Sequence, residues 1–119
     1  MRRMNIVGAG RVGKTLAALW HERNELEVGS ILNRSLPSSE IAAVFIGSGT
    51  PASDVSTLLT SEFHMLSTPD DAIEAAAALL LKSGILRPGD TVFHCSGALP
   101  SSILSPLSSS GALVAAVHP

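Results

Sequence analysis

The chain has no tyrosine, one tryptophan and three phenylalanines among its 119 residues. With so few aromatic rings, its core must be built from Ala, Val, Ile and Leu, which suit close packing of helices on a sheet. A single cysteine, Cys95, excludes an internal disulfide and fits a reducing compartment. Charge is sparse: the net value is -2 with both signs dispersed, so there is no basic face. Nucleic acid and anionic membrane are therefore excluded as expected partners. A long apolar run is also missing. Arg2 and Arg3 precede only Met4 to Ala9, interrupted by Asn5 and Gly8, which is too short for a signal-peptide core or a membrane span. A cytoplasmic protein is expected. No C-x-x-C or H-x-x-x-H spacing offers a metal site. There is no G-x-S-x-G elbow, and no H-R-D or D-F-G of a kinase.

What is present starts at Asn5-Ile6-Val7-Gly8-Ala9-Gly10-Arg11-Val12-Gly13. A short apolar strand runs into G-x-G-x-x-G, and a helical pattern follows. In this motif Gly8 permits the tight turn, Gly10 leaves room for a pyrophosphate, and Gly13 lets the helix lie close on the strand. The helix N-terminus then offers free N–H groups and partial positive charge to phosphates. Gly8, Ala9, Gly10, Arg11, Val12 and Gly13 are the first set of expected cofactor-binding residues.

Strands and helices then alternate. Met4 to Val7 is the first strand, and Val12, Leu16, Leu19 and Trp20 mark one face of the first helix. Leu26 to Leu32 is the second strand. Pro37-Ser38-Ser39 starts a second helix, broken at Gly47-Ser48-Gly49-Thr50-Pro51. Ala52 to Leu59 reads as either a short helix or a short edge strand. Phe63 to Ser67 is a strand. Thr68 is expected to cap the next helix, with Pro69 at its first position and Asp70 and Asp71 favouring its positive end. That helix stops at Gly84. Thr91 to Cys95 is a strand, Pro100 to Leu107 a short helix, and Ala112 to Val117 the last strand. No repeat or low-complexity tract interrupts the series. The reading is one α/β domain: a doubly wound, mostly parallel sheet with strand order 3-2-1-4-5-6 and helices on both faces.

Dinucleotide domains that prefer NAD carry Asp or Glu about 20 residues beyond the glycines, for the ribose 2′-hydroxyl. This chain has Asn33-Arg34-Ser35 there. No carboxylate repels a 2′-phosphate. Arg34 can supply a guanidinium, and Ser35 a hydroxyl and an N–H. NADP (NADPH) is thus expected over NAD, unless Arg34 is an ordinary loop arginine. Thr68 and Pro69 end the fourth strand, where the fold places its cofactor cleft, and are expected to line it. Asp70 and Asp71 are adjacent and point apart on a helix, so they serve the dipole rather than acid–base chemistry. His94 and Cys95 alternate sides of the sheet, so at most one faces the cleft. Ser96 and His118 are the candidates for substrate contact.

Several segments together resemble the N-terminal domain of the 6-phosphogluconate dehydrogenase-like superfamily. They are Gly8-Ala9-Gly10-Arg11-Val12-Gly13, Asn33-Arg34-Ser35, Thr68-Pro69-Asp70-Asp71, Arg87-Pro88-Gly89-Asp90 and His94-Cys95-Ser96-Gly97-Ala98-Leu99. That superfamily includes pyrroline-5-carboxylate reductases, prephenate dehydrogenases and F420-dependent NADP oxidoreductases. The resemblance is strongest to Rossmann-like proteins with a following helical domain of the DUF2520 type, which carry a later His-Pro like His118-Pro119. It implies an NADP-dependent oxidoreductase acting on a small-molecule substrate. It also implies a helical domain after residue 119 and a homodimeric full-length protein. A dinucleotide sensor without turnover is the alternative. A methyltransferase using S-adenosylmethionine is opposed by Gly13 and by the basic Asn33-Arg34-Ser35.

Overall fold

The computed structural model describes residues 2–117. Six strands form one parallel sheet in the order β3-β2-β1-β4-β5-β6. In chain order the elements are β1 (Arg3–Val7), α1 (Arg11–Glu22), β2 (Glu27–Leu32), α2 (Leu36–Ile46) and β3 (Thr50–Ala52). Then come β4 (Phe63–Leu66), α3 (Ile73–Ser83), β5 (Thr91–His94) and β6 (Leu113–Ala116). Side chains alternate across each central strand. Met4, Ile6, Met65 and Phe93 face α1 and α2, whereas Val7, Leu66 and Val92 face α3. Helices on both faces bury the sheet, as parallel strands require.

Four local readings shift. The third strand is Thr50–Ala52, earlier than Ala52 to Leu59, which instead holds a 3-10 turn at Val55–Thr57. Pro51 is compatible with β3 because β3 is an edge strand, where a missing N–H costs no ladder bond. Thr68 does not cap α3: it makes no such bond, and a 3-10 turn at Asp70–Ala72 precedes the helix proper. Ser101–Ser110 is a 3-10 segment containing Pro106, longer than the short helix expected. On α1 the buried face centres on Gly13 and Ala17, with Leu16 and Trp20 partly covered. Val12 and Leu19 stay about two-fifths exposed (41% and 40%), because the small residues take the line of closest approach.

Toward the N-terminal ends of the strands, a buried polar network ties four segments together. Asn5 Oδ1 accepts from the Ser30 N–H (2.8 Å) and the Ser61 hydroxyl (2.9 Å), and Asn5 Nδ2 donates to the Leu59 carbonyl (2.6 Å). His64 is fully buried beside it, with Nε2 3.8 Å from Asp90. Burial pushes the His64 pKa down, and the Asp90 carboxylate opposes that shift.

Candidate functional site

The glycine turn and the ends of β4 and β5 build the site at the C-terminal edge of the sheet. Gly8 has φ +73°, a left-handed conformation that costs glycine nothing. Its N–H donates to the Leu32 carbonyl (2.7 Å). All three motif glycines press on one segment. A Cβ on Gly8 would collide with Thr68, one on Gly10 would sit 3.0 Å from the Ser67 carbonyl, and one on Gly13 2.5 Å from the Ser67 side chain. Gly13 thus packs α1 against β4 and the residue after it, rather than against β1. Gly10 has a packing role beside the phosphate space expected of it.

Hydrogen-bond accounting separates the turn from the helix behind it. The Gly8, Ala9 and Gly10 N–H groups are taken by Leu32 O, Asn33 Oδ1 and Gly8 O. The next N–H with a partner is Lys14, to the Gly10 carbonyl. Between them, the Arg11, Val12 and Gly13 amides have no acceptor among the described residues, and α1 has neither a side-chain cap nor an acid in its first turn. The other two helix starts at this edge differ. At α2, Ser35 accepts from the Ser38 N–H and Pro37 has no N–H to offer. At α3, Asp70, Asp71 and Glu74 surround the start. Among the described residues, α1 is the helix start that leaves three successive amides without an acceptor and has no acid in its first turn, a field that favours an anion.

Two clefts flank this helix end and share Gly10, Ser67, Thr68 and Pro69 as a common wall. The larger, about 430 Å³, runs from Gly8, Ala9, Asn33 and Arg34 to an apolar wall of α3 that includes Ala76 and Leu79. The smaller, about 290 Å³, is bounded by Arg11, Val12, Asp70, Cys95 and Ser96. A third cavity, lined by Met4, Trp20, Phe63 and Phe93 among others, lies away from the glycine turn and carries no charged group.

The expected site residues separate by environment. Arg34 is exposed at the rim of the larger cleft, with no ion-pair partner among the described residues. Arg11 is likewise exposed and unpaired at the smaller one. Ser35 lines neither cleft, because its hydroxyl caps α2. Gly13 lines neither and is buried beneath both. The Thr68 hydroxyl is buried without a partner. His94 and Cys95 do point apart. His94 Nδ1 accepts from the Ser96 N–H (3.1 Å), so the ring carries its proton on Nε2, which donates to the Pro100 carbonyl (3.0 Å). Cys95 faces the smaller cleft, and burial raises its thiol pKa, which keeps it protonated and weakly nucleophilic. Ser96 Oγ accepts from the Ala98 and Leu99 N–H groups (3.1 and 3.2 Å), holding the turn that ends the cleft. His118 lies outside the described residues. Sequence reasoning missed the α3 wall, whose only signal was small residues spaced along a helix. It also missed Ser38 and Ser39, which brace Asn33. No trio of His, Cys, Asp or Glu among the described residues could hold a metal, and no helix is long and apolar enough to cross a membrane.

A family model described as Rossmann-like domain matches residues 2–119. No curated protein matches the chain in sequence. Solved structures share the fold. A conserved hypothetical protein from Sinorhizobium meliloti aligns with TM-score 0.77 at 15% identity, over 99% of this chain and 40% of its own. Synechocystis arogenate dehydrogenase aligns with TM-score 0.71 at 23% identity, over 90% of this chain and 37% of its own. Prephenate dehydrogenase from A. aeolicus, in complex with hydroxyphenyl propionate and NAD+, aligns with TM-score 0.68 at 24% identity. That alignment spans 93% of this chain and 38% of the dehydrogenase.

Proposed function

The chain belongs to the Rossmann-like domain family, and from that premise we propose that it binds NADP(H) across the two clefts, as the cofactor domain of an oxidoreductase. The observation that carries this reading is the start of α1. It has three amides without acceptors among the described residues and no acid in its first turn, and it opens between two clefts that share one wall. A dinucleotide carries an anionic pyrophosphate at its middle and a heterocycle at either end, which is the shape this arrangement suits.

The Arg11 and Val12 amides hold the phosphates, with Gly13 packed behind them. Ala76 and Leu79 offer the adenine an apolar wall. Arg34 meets the 2′-phosphate with an unpaired guanidinium, and no carboxylate at the end of β2 opposes it. Ser96 and Cys95 bound the nicotinamide end. When bound, the nicotinamide supplies hydride exchange with a small substrate; the chain's part is to hold and orient it. The half-buried, protonated Cys95 leaves that end free of a competing thiolate.

Calorimetric titration with NADPH, NADH and S-adenosylmethionine tests the reading. NADPH should bind most tightly, NADH more weakly, and S-adenosylmethionine not measurably. Absence of binding by both dinucleotides would sink it.

A further inference from the structure

We infer that Asn33 is a positioning residue of the dinucleotide site, one that sets the glycine turn and the Arg34 subsite in register without touching the ligand. The inference rests on the dinucleotide reading above. Placed at the end of β2, Asn33 stands where a ribose-binding side chain would be expected. Its amide is spent inside the protein instead. Oδ1 accepts from the Ala9 N–H at 2.6 Å, and Nδ2 donates to the Ser38 carbonyl (3.2 Å) and hydroxyl (3.0 Å). A backbone N–H can only donate, so the Ala9 contact settles which way the amide is turned.

The backbone of Asn33 is pinned as well. Its N–H donates to Ser39 Oγ at 2.9 Å. Ser39 is fully buried, and its hydroxyl lies 2.9 Å from the Ala52 carbonyl of β3 and 3.2 Å from the Ser35 carbonyl. One side chain thus joins the glycine turn, the end of β2 and the first turn of α2, with β3 as the next link. Arg34 follows immediately, with a held backbone neighbour and a free side chain. The distance from the α1 amides to the Arg34 guanidinium is therefore governed by a junction whose side-chain amide is already bonded within the protein, although it borders the larger cleft.

A residue that met the 2′-phosphate would affect NADPH alone, and one that met the ribose would affect both dinucleotides but leave the ligand-free Ala9 amide as it was. A positioning residue affects both dinucleotides, because both need the turn. Asn33→Ala should weaken NADPH and NADH alike, by about five- to tenfold, with their ratio unchanged. Without ligand, hydrogen exchange at the Ala9 amide should accelerate in Asn33→Ala. Should that variant fail to fold, Asn33→Asp keeps the acceptor for Ala9 and loses both donors to Ser38. It should retain Ala9 protection, weaken NADH less than alanine does, and weaken NADPH more because of its charge. Unchanged affinities, a loss confined to NADPH in Asn33→Ala, unchanged Ala9 exchange in ligand-free Asn33→Ala, or loss of Ala9 protection in Asn33→Asp would each overturn the positioning role alone. A wild type that binds neither dinucleotide overturns the ligand reading and this inference together, and is recognised as such.

Discussion

Toward the N-terminal ends of the strands, Asn5, Ser30, Ser61, His64 and Asp90 are all buried and turned mainly toward one another or the backbone. At the C-terminal ends the polar groups divide. Asn33, Ser35, His94 and Ser96 close bonds within the chain, while the α1 amides, Arg11 and Arg34 stay unpaired. The residue types at the two ends are nearly the same, so composition does not distinguish cohesion from recognition. The distinction lies in which donors are left over once internal bonds are counted. The first, fastened end leaves only buried groups such as His64 Nε2, which solvent-borne ligands do not reach, whereas the second leaves several donors open to a cleft, in a field that favours an anion.

The largest effect should come from breaking the fastened end. Asn5→Ala removes an acceptor for two donors and leaves the Leu59 carbonyl only the long bond from Ser61 Oγ (3.4 Å), at a cost on the order of 3 kcal/mol in denaturant unfolding. Dinucleotide affinity, measured well below the melting transition, should stay within about twofold of wild type. A large loss of affinity there would mean that the two ends are not separable.

The next acts on the open end. A charge-assisted hydrogen bond is worth about 1.5–3 kcal/mol, so Arg34→Ala should weaken NADPH by about ten- to a hundredfold and leave NADH nearly unchanged. Its exposure puts the expected loss at the lower end, and added salt should shrink the preference further. Equal affinities for NADH and NADPH in wild type and variant would make Arg34 a bystander. Melting temperature should not move.

Ser35→Ala sharpens the contrast within that end. Removing the α2 cap should cost about 1 kcal/mol of stability. The ratio of NADPH to NADH affinity should hold, because Ser35 faces the helix rather than the cleft. A collapse of that ratio would return Ser35 to the phosphate site.

The smallest effect is a pH dependence from the fastened end. His64 is buried and its folded pKa is lowered from 6.5. The unfolded chain therefore binds this proton first as the solution is acidified. The stability that neutral His64 contributes is complete above about pH 6.5 and is lost as pH falls through the depressed folded value. Asp90 limits the loss by favouring the charged ring. Denaturant midpoints between pH 7.5 and 5.5 should fall in wild type and flatten in His64→Gln. A parallel decline in both would assign the effect to other groups.

The sheet order was legible because a glycine turn near the N-terminus makes the first strand central, and handedness and short connections then leave few alternatives. The α3 start was misread because Thr68-Pro69-Asp70-Asp71 satisfies every local rule for a helix cap, while tertiary packing lodges Thr68 under Gly8 and delays the helix to Ile73. β3 was misplaced since a three-residue edge strand carrying Pro51 has no periodicity to detect. At the candidate site, the glycine turn was readable from type and spacing, as was the position of Arg34 at the rim of the larger cleft. The inward turn of Asn33 was not, because an amide at the end of β2 can point to ligand or to protein, and only Ser38 and Ala9 decide which.

For the dinucleotide proposed above, the wall shared by the two clefts would make the site bivalent. A ligand gripped at its middle presents each end to its own cleft at an effective concentration of about millimolar, set by a tether of a few bonds. Neither cleft then needs to bind its half tightly, and both can remain shallow and open. A free nucleoside or a free pyridine lacks the tether and meets only one weak cleft. Discrimination against such fragments follows from connectivity, with no contact devoted to rejecting them.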